Sequence, residues 1–580
     1  MTTGRLSPLA LLTEGVTSLA GLLSVDDTLY DPVFDCPTQY GSAYYGWCCA
    51  VLGGRSADSG LDYSEQAGRL LRAAVAHTSD PAREPWASGF DRQTLSVTGR
   101  LNHRDFTWPP ILKTYQALGW DDASLEAHLA AVDVAASFRA RPPSNWAAVW
   151  MSGEWLRMQA GLSSTSLEEF DDWLDVFFAG GPVGFDLDLG MYLEPGFPNS
   201  YDLFTRAHFT DLLAHGYGGR NRERLEAFLT TGLRRSLAMQ LSDGSIASGY
   251  RSAGQTWVLG AQIALFIQSR SLGLGTDEEQ EAARAAAWRA FDSLARWQRP
   301  GGVFSPVQNL LEPSMRVGYE RYTSDGHYSP LALGFLASAI DAGFGDDAPT
   351  SASELDERPV QALAEGGPSH RGVAHRGRVS VAVQAQADDT YDATGLVDLT
   401  FGVGRLLHFV SAARHLSGGP WLVPGLALRE RAGASPVMAV GGRQHAVTEL
   451  AGASGGLHFA SVLSPTDDAT MLAYRFEATV TDSGVEVAES TPGRSGHVSL
   501  LVPYLHDLGS GLQTQTSFSD SGVRFTLGDE WVVVTVEGEV ERASDLPYGY
   551  ESRRGICGLV RIDLREPAEV LRWSMVSSPS

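Results

Sequence analysis

DDAPTSASELDERPVQALAEGGPSHRG, residues 346–372, decides how the chain divides. Pro, Ser, Gly and acidic residues dominate it, a composition that sustains neither a helical stripe nor an alternating strand, so a linker or surface excursion is expected there. Upstream, from about Ser64 to Gly343, apolar positions recur with a helical period in Ala/Leu-rich segments. Examples are SEQAGRLLRAAVAH (64–77), ASLEAHLAAVDVAASFRA (123–140), NWAAVWMSGEWLRMQAG (145–161), SYDLFTRAHFTDLLAHG (200–216), GQTWVLGAQIALFIQSRS (254–271) and YSPLALGFLASAIDAGF (328–344). Asp122 and Thr276 stand where capping residues belong, and Gly161, Gly180 and Gly216 follow helix ends. Downstream the period becomes two, in RVSVAVQAQA (378–387), MLAYRFEATV (471–480), HVSLLVPYL (497–505), EWVVVTVEGEVE (530–541) and GLVRIDL (558–564). The expected chain is therefore multidomain, α then β. Residues 1–345 are read as an incomplete or complete (α/α) toroid carrying the catalytic site, 346–371 as a linker, and 372–580 as an antiparallel β-sandwich.

Composition narrows the function. The chain of 580 residues has 44 basic against 69 acidic residues, a net charge of −25. That balance opposes general nucleic-acid binding and attachment to an anionic membrane. Lys113 is the sole lysine, in PPILKTYQALGW, which reads as an ordinary helix, so Schiff-base, pyridoxal-phosphate and P-loop chemistries are disfavoured. Cys36, Cys48, Cys49 and Cys557 contain no CxxC and are expected as buried free thiols. HExxH and EF-hand patterns are absent, and no cofactor is expected. The N-terminus lacks a cationic start followed by an unbroken apolar core, and no run approaches the roughly 18 apolar residues of a membrane span. A cytoplasmic protein is the simplest expectation.

Chemistry concentrates in four polar and aromatic loop segments: LNHRDFTWPP (101–110), LEPGFPNSYDLFTRAHF (193–209), SDGSIASGYRSAGQTW (242–257) and EPSMRVGYERYTSDGHYSP (312–330). Inter-helix loops of a toroid gather at one end, so the four are expected to line one cleft. Aromatic faces suit sugar rings, and Arg, Asn, Gln and carboxylates suit hydroxyls and uronate groups. Tyr201, Thr205 and His208 share a helix face, and Asp202 and Arg206 stand at i, i+4. Asp325-Gly326-His327-Tyr328 reads as a turn at a helix entrance.

The layout resembles polysaccharide lyases of the chondroitin/hyaluronate, alginate and heparinase II/III types. Asn145-Trp146 looks like the Asn-Trp motif opening a toroid helix in the first type, and His208 with Tyr217-Gly218 is similar to its His and Tyr-Gly spacing. The DGS at 243–245 follows His208 instead of preceding it. This resemblance implies an Asn that neutralises a uronate, with His and Tyr as base and acid. The succession NW, SYDLF–RAHF, DGS–GYRSAGQTW–GAQIALF and SDGHYSPLALGFLASAI also looks like a bacterial toroid-plus-sandwich family linked to β-glucuronidase activity. That likeness implies a hydrolase using carboxyls from Glu194, Asp202, Glu320 or Asp325.

The expected function is cleavage of a uronic-acid-containing glycan by β-elimination. Paired-carboxylate hydrolysis is the alternative, and non-catalytic glycan binding a second. The expected catalytic residues are Asn145, Tyr201, His208, Tyr217, His327 and Tyr328. His103, Arg104, Trp146, Glu194, Asp202, Arg206, Tyr250, Arg251, Gln255, Trp257, Arg321 and Asp325 are expected to bind substrate.

Overall fold

The computed structural model describes residues 6–33, 36–38, 40–55, 62–79, 106–119, 122–131, 143–320, 322–346, 348–349, 358, 360–367, 369–386, 391–411, 422–429, 431–432, 434, 437–438, 443–464 and 471–579. Its first half is helical: α1 (Pro8–Ala20), α2 (Gly41–Arg55), α3 (Tyr63–Ser79), α4 (Trp108–Leu118), α5 (Ala123–Ala130), α6 (Asn145–Gln159), α7 (Leu167–Phe178), α8 (Asn199–Ala214), α9 (Arg222–Met239), α10 (Thr256–Ser271), α11 (Asp277–Arg296) and α12 (Asp325–Asp341). Helices α2, α4, α6, α8, α10 and α12 pack in cyclic order, with α12 returning to α2. Helices α1, α3, α9 and α11 pack outside them.

The burial of each helix follows from its place. Every residue of α10 from Thr256 to Ser269 is buried, as is α12 from Asp325 to Ile340. Helix α11 by contrast keeps an acidic, exposed first turn and buries only one stripe. A helix lined by neighbours on all sides needs apolar or small residues all round, whereas an outer helix needs one face. This explains why α2, with GSAYYGWCCAVL wholly buried, carries no clear helical period in the sequence. The capping expectations hold: Asp122 accepts from the Ser124 and Leu125 amides at 3.1 Å, and Thr276 and Glu279 form a reciprocal capping box. Helix α12 begins at Asp325, so Asp325–Tyr328 forms its first turn and not a turn before it. Cys48, Cys49 and Cys557 are buried free thiols.

The second half is antiparallel. Among the described residues the expected sandwich comprises three sheets. A five-stranded meander runs Gln361–Glu365, Arg371–Arg376, Val379–Gln384, Gly395–Thr400 and Phe409–Val410. A second five-stranded sheet contains Gly425–Arg429, Val437–Met438, His497–Asp507, Val540–Ser552 and Gly555–Leu564. An eight-stranded sheet packs against both. Its strand Leu472–Val480 alternates buried and exposed, with one face in water. Val379–Gln384 and Gly395–Thr400 are buried throughout, because the meander lies between the eight-stranded sheet and the helical half. Gln361–Glu365 falls inside the stretch expected as a linker, where it pairs with Arg371–Arg376.

The meander docks through polar contacts on the helical half. Glu365 binds Arg235 at 2.6 Å, Asp398 accepts from the Ser248 amide at 2.7 Å, and Arg371 reaches the carbonyls of Gly196 and Phe197. These contacts fix loops 194–199 and 242–255, the loops that carry the candidate site. No described helix is long and apolar enough to cross a membrane.

Candidate functional site

Ser144 caps α6 and places Asn145 as its first helical residue. A short hairpin, Gly184–Asp186 with Met191–Leu193, delivers Tyr192 and Glu194 to the same point. The Asn145 amide donates to Glu194 Oε2 at 2.7 Å, and the Tyr192 hydroxyl donates to the same oxygen at 3.3 Å. Arg251 closes the group with an ion pair to Glu194 Oε1. The Arg251 guanidinium also lies 4.3 Å from the centre of the Tyr201 ring, a cation–π geometry. About two thirds of the Arg251 side chain is covered, and the remaining 33% faces outward. Asn145, Glu194, Tyr201 and Arg251, expected from three separate stretches of sequence, thus meet.

Ser252 extends the cluster. Its hydroxyl is 2.6 Å from the Tyr322 hydroxyl and donates to the Tyr201 hydroxyl at 3.4 Å, while its amide donates to Glu320. Burial pushes the Glu320 carboxyl up, opposed by its hydrogen bonds from Tyr322 and the Ser252 amide. Burial also raises the Tyr201 phenol, against the pull of Arg251 toward the phenolate. Trp257 packs on Tyr201 at 5.9 Å and on Tyr328 at 6.3 Å. Gln255 holds the Trp257 indole at 2.6 Å and takes its own position from Thr323 at 3.0 Å. Trp146 stands edge-on to Phe106 at 5.3 Å, beside Asn145. Tyr250 packs against Tyr391 of the sheet half at 4.5 Å. The Tyr250 ring rests directly on Gly196, where any Cβ would fall 2.3 Å from it. Glycine is required there by this approach and by a φ of +85°.

Other expected residues lie elsewhere. Asp202 and Arg206 do form their i, i+4 pair, at 2.7 Å, but fully buried. Arg235 joins them at 2.8 Å and Asp202 accepts from the Tyr192 amide at 2.8 Å, so this network carries the hairpin and presents no face to a substrate. His208 lies two turns from Tyr201, about 10 Å along α8. It lines a small internal cavity with Tyr44, Trp47, Lys113, Asp211, Gln268 and Ser338. Burial lowers it to about 3, so it is neutral, and its Nε2 has no hydrogen-bond partner among the described residues. Lys113 is no ordinary exposed helix residue: it binds Asp211 at 2.6 Å inside the ring, where Gln268 and Ser152 complete the carboxylate's shell at 2.8 and 3.0 Å.

Tyr217 follows the far end of α8, roughly 20 Å along the axis from Tyr201. There it donates to Asp171 and packs on Trp155 and Phe170. His327 packs on Tyr40 at 4.3 Å and contacts Ser324 at 3.0 Å, and Asp325 binds Arg299 at 2.5 Å and Tyr319 at 2.9 Å. Both hold the first turn of α12. His103, Arg104 and Arg321 lie outside the described residues. No group of three or more His, Cys, Asp or Glu able to hold a metal occurs among the described residues.

Tyr192, Ser252, Tyr322 and, from the sheet half, Tyr391, Asp392 and Arg553 were not among the expected residues. The strained backbone at Tyr250 and Ser252, both with φ +61°, marks the Arg251 loop, but no sequence pattern announces it.

Fold and cluster together define a ring of helices backed by three antiparallel sheets, with an arginine, a tyrosine and two carboxylates gathered where the halves meet. Two polysaccharide lyases are among the solved structures with a similar fold. A variant of chondroitin AC lyase from Streptomyces coelicolor A3 superposes with a TM-score of 0.53 at 13% identity, covering 99% of this chain and 79% of that one. Xanthan lyase from Paenibacillus gives 0.51 at 9% identity, covering 100% of this chain and 58% of that one. The chain has the fold of these enzymes. No protein-family model and no curated protein sequence matches it.

Proposed function

We propose that this protein cleaves uronic-acid-containing glycans by β-elimination, in a site at the end of a closed (α/α) toroid. The observation that carries the reading is Arg251, which lies over the Tyr201 ring at 4.3 Å with a third of its side chain still exposed. Through that exposed part Arg251 would bind the substrate carboxylate and so acidify the adjacent C5 proton. Tyr201 is the proton-carrying group: burial raises its phenol above the ordinary range, Arg251 opposes this by drawing it toward the phenolate, and its hydroxyl takes a hydrogen bond from Ser252. Glu194, itself held by the Asn145 amide, pairs with Arg251. Trp146 and the Tyr250–Tyr391 pair, all partly exposed, offer aromatic faces for sugar rings. The test is incubation with uronic-acid oligosaccharides. Ultraviolet absorbance of an unsaturated uronate should appear with the wild type and vanish in Tyr201→Phe, and sugar release without it would overturn elimination.

Hydrolysis is the second reading, favoured by the presence of two carboxyl groups in unlike surroundings. Glu320 is pushed toward its protonated form by burial, whereas Glu194 is paired with Arg251. An acid and a base separated in this way are what glycoside hydrolysis requires.

A further inference from the structure

The loop carrying Arg251 is held in a conformation that its own residues disfavour. Tyr250 and Ser252, on either side of Arg251, both have φ +61°, the left-handed region that a tyrosine seldom enters. Two carboxylates restrain it. On the helical side, Glu320 accepts from the Ser252 amide. On the sheet side, Asp392 accepts from the Tyr250 amide. Arg553, at the tip of the hairpin joining Val540–Ser552 to Gly555–Leu564, pairs with Asp392 at 3.0 Å. It also donates to the carbonyls of Tyr250 at 2.8 Å and Tyr391 at 3.1 Å. Both partners are almost fully buried.

The fit of the hairpin tip is close on two further sides. A Cβ on Gly254 would meet the Arg553 Cβ at 3.2 Å, and one on Gly318 would meet the Arg553 carbonyl oxygen at 2.8 Å. Both glycines also have positive φ, +79° and +81°. The loops before and after the site are thus shaped around the tip of a hairpin from the other half.

We propose that Asp392 and Arg553 are positioning residues: the sheet half clamps the strained 250–252 loop and so holds Arg251 over Tyr201 in the orientation that receives the substrate carboxylate. Asp392 touches no reacting atom in this scheme and acts through the Tyr250 backbone. The inference rests on the uronate-cleaving reading above, because it is there that Arg251 acquires its role. It adds that the helical half alone is an incomplete enzyme.

The test combines hydrogen exchange with kinetics on the full chain. In Asp392→Ala, the amides of residues 250–252 should exchange at least tenfold faster, with the rest of α8 and α10 unchanged. On a uronic-acid oligosaccharide, KM should rise at least tenfold while kcat changes less than about threefold. Asp392→Asn retains an acceptor for the Tyr250 amide and should restore most of both properties. If Asp392→Ala fails to fold, Asp392→Asn still decides, with a several-fold smaller shift in the same direction. Unchanged exchange and unchanged KM in an active wild-type background would overturn the clamp. A wild type that cleaves no uronate glycan, with exchange altered as expected, would leave the clamp standing and remove the role given to Arg251.

Discussion

Glu194→Gln separates the two chemistries that this site can support. In the free protein Glu194 neutralises Arg251 and occupies the Asn145 amide. A substrate carboxylate on the outer edge of the guanidinium would stand across it from Glu194, about 7 Å away for two carboxylates bridged by one guanidinium. At an effective dielectric of about 20, that repulsion is roughly 2.4 kcal/mol. Because 33% of the Arg251 side chain is exposed, solvent and salt reduce it to about 1–2 kcal/mol. Glutamine keeps the size and an acceptor for Asn145 but removes the charge. Under elimination, the variant should therefore bind uronate oligosaccharides roughly 5- to 30-fold more tightly, with kcat within about tenfold of wild type. The assay is calorimetric binding beside initial rates at one ionic strength, and the gain should shrink as salt rises. A fall in kcat beyond about a thousandfold with unchanged binding would refute this reasoning and make Glu194 a catalytic carboxylate.

Further outcomes follow from the ring interior and the loops. Lys113→Met strands the buried Asp211 carboxylate and should cost about 3–5 kcal/mol. For a helical half of about 340 residues unfolding as a unit, that is a drop in Tm of roughly 4–7 °C by calorimetry, largely recovered in Lys113→Met/Asp211→Leu. His208 is held near 3 against an ordinary 6.5, so the unfolded chain gains a proton that the folded chain refuses. Stability should fall as pH drops from about 6.5 toward 3, by up to about 1.4 kcal/mol per pH unit, and denaturant titrations of His208→Asn should lack that component. The Lys113-paired Asp211, depressed below its usual range, adds its own loss only at lower pH. Gly196→Ala drives a methyl into the Tyr250 ring and strains a positive φ, so activity should fall at least tenfold, with a detectable change in near-ultraviolet circular dichroism.

What was legible in the sequence depended on whether a residue's role is set locally. Glu194, Tyr201, Arg251 and Trp257 stand out because polar and aromatic side chains cluster beside Gly and Pro at helix ends, and loop ends are where a ring of helices collects its chemistry, whereas Asn145 is singled out by the resemblance of Asn145-Trp146 to the Asn-Trp motif of chondroitin/hyaluronate-type lyases. Asp202 and Arg206 carried an equally clear local signal, i, i+4 spacing, and the pair does form. Spacing says nothing about burial, and here the pair braces the Tyr192–Glu194 hairpin. The nine-residue step from His208 to Tyr217 was likewise a one-dimensional cue. On a helix rising about 1.5 Å per residue it leads away from Tyr201, not across to it. Helix α2 escaped because a helix buried on all sides has no polar face to set its period. Of the sheet against the helical half, RVSVAVQAQA (378–387) is legible as a strand, whereas Gly395–Thr400, covered on both faces, has no polar alternation to announce it.

Asp392 and Arg553 could not be read at all, since the amide and carbonyl they hold are 142 and 303 residues away. Their contribution is a backbone conformation, and a backbone conformation leaves its trace at the strained residues, not at those that impose the strain. That asymmetry bears on how the two halves are related. A sheet domain serving only as a rigid support would need a broad, replaceable interface. Here the interface instead puts buried charges against specific groups: Asp398 on the Ser248 amide, Asp392 on the Tyr250 amide, and Arg554 on the Asp243 carboxylate at 2.6 Å. Each removes a backbone or side-chain group from water, and each would be costly to leave unmatched if the halves separated. Three such contacts within loop 242–255 make the order of that loop conditional on docking. The site is thus a property of the assembled chain, with the helices supplying Tyr201 and the sheets determining where Arg251 can stand.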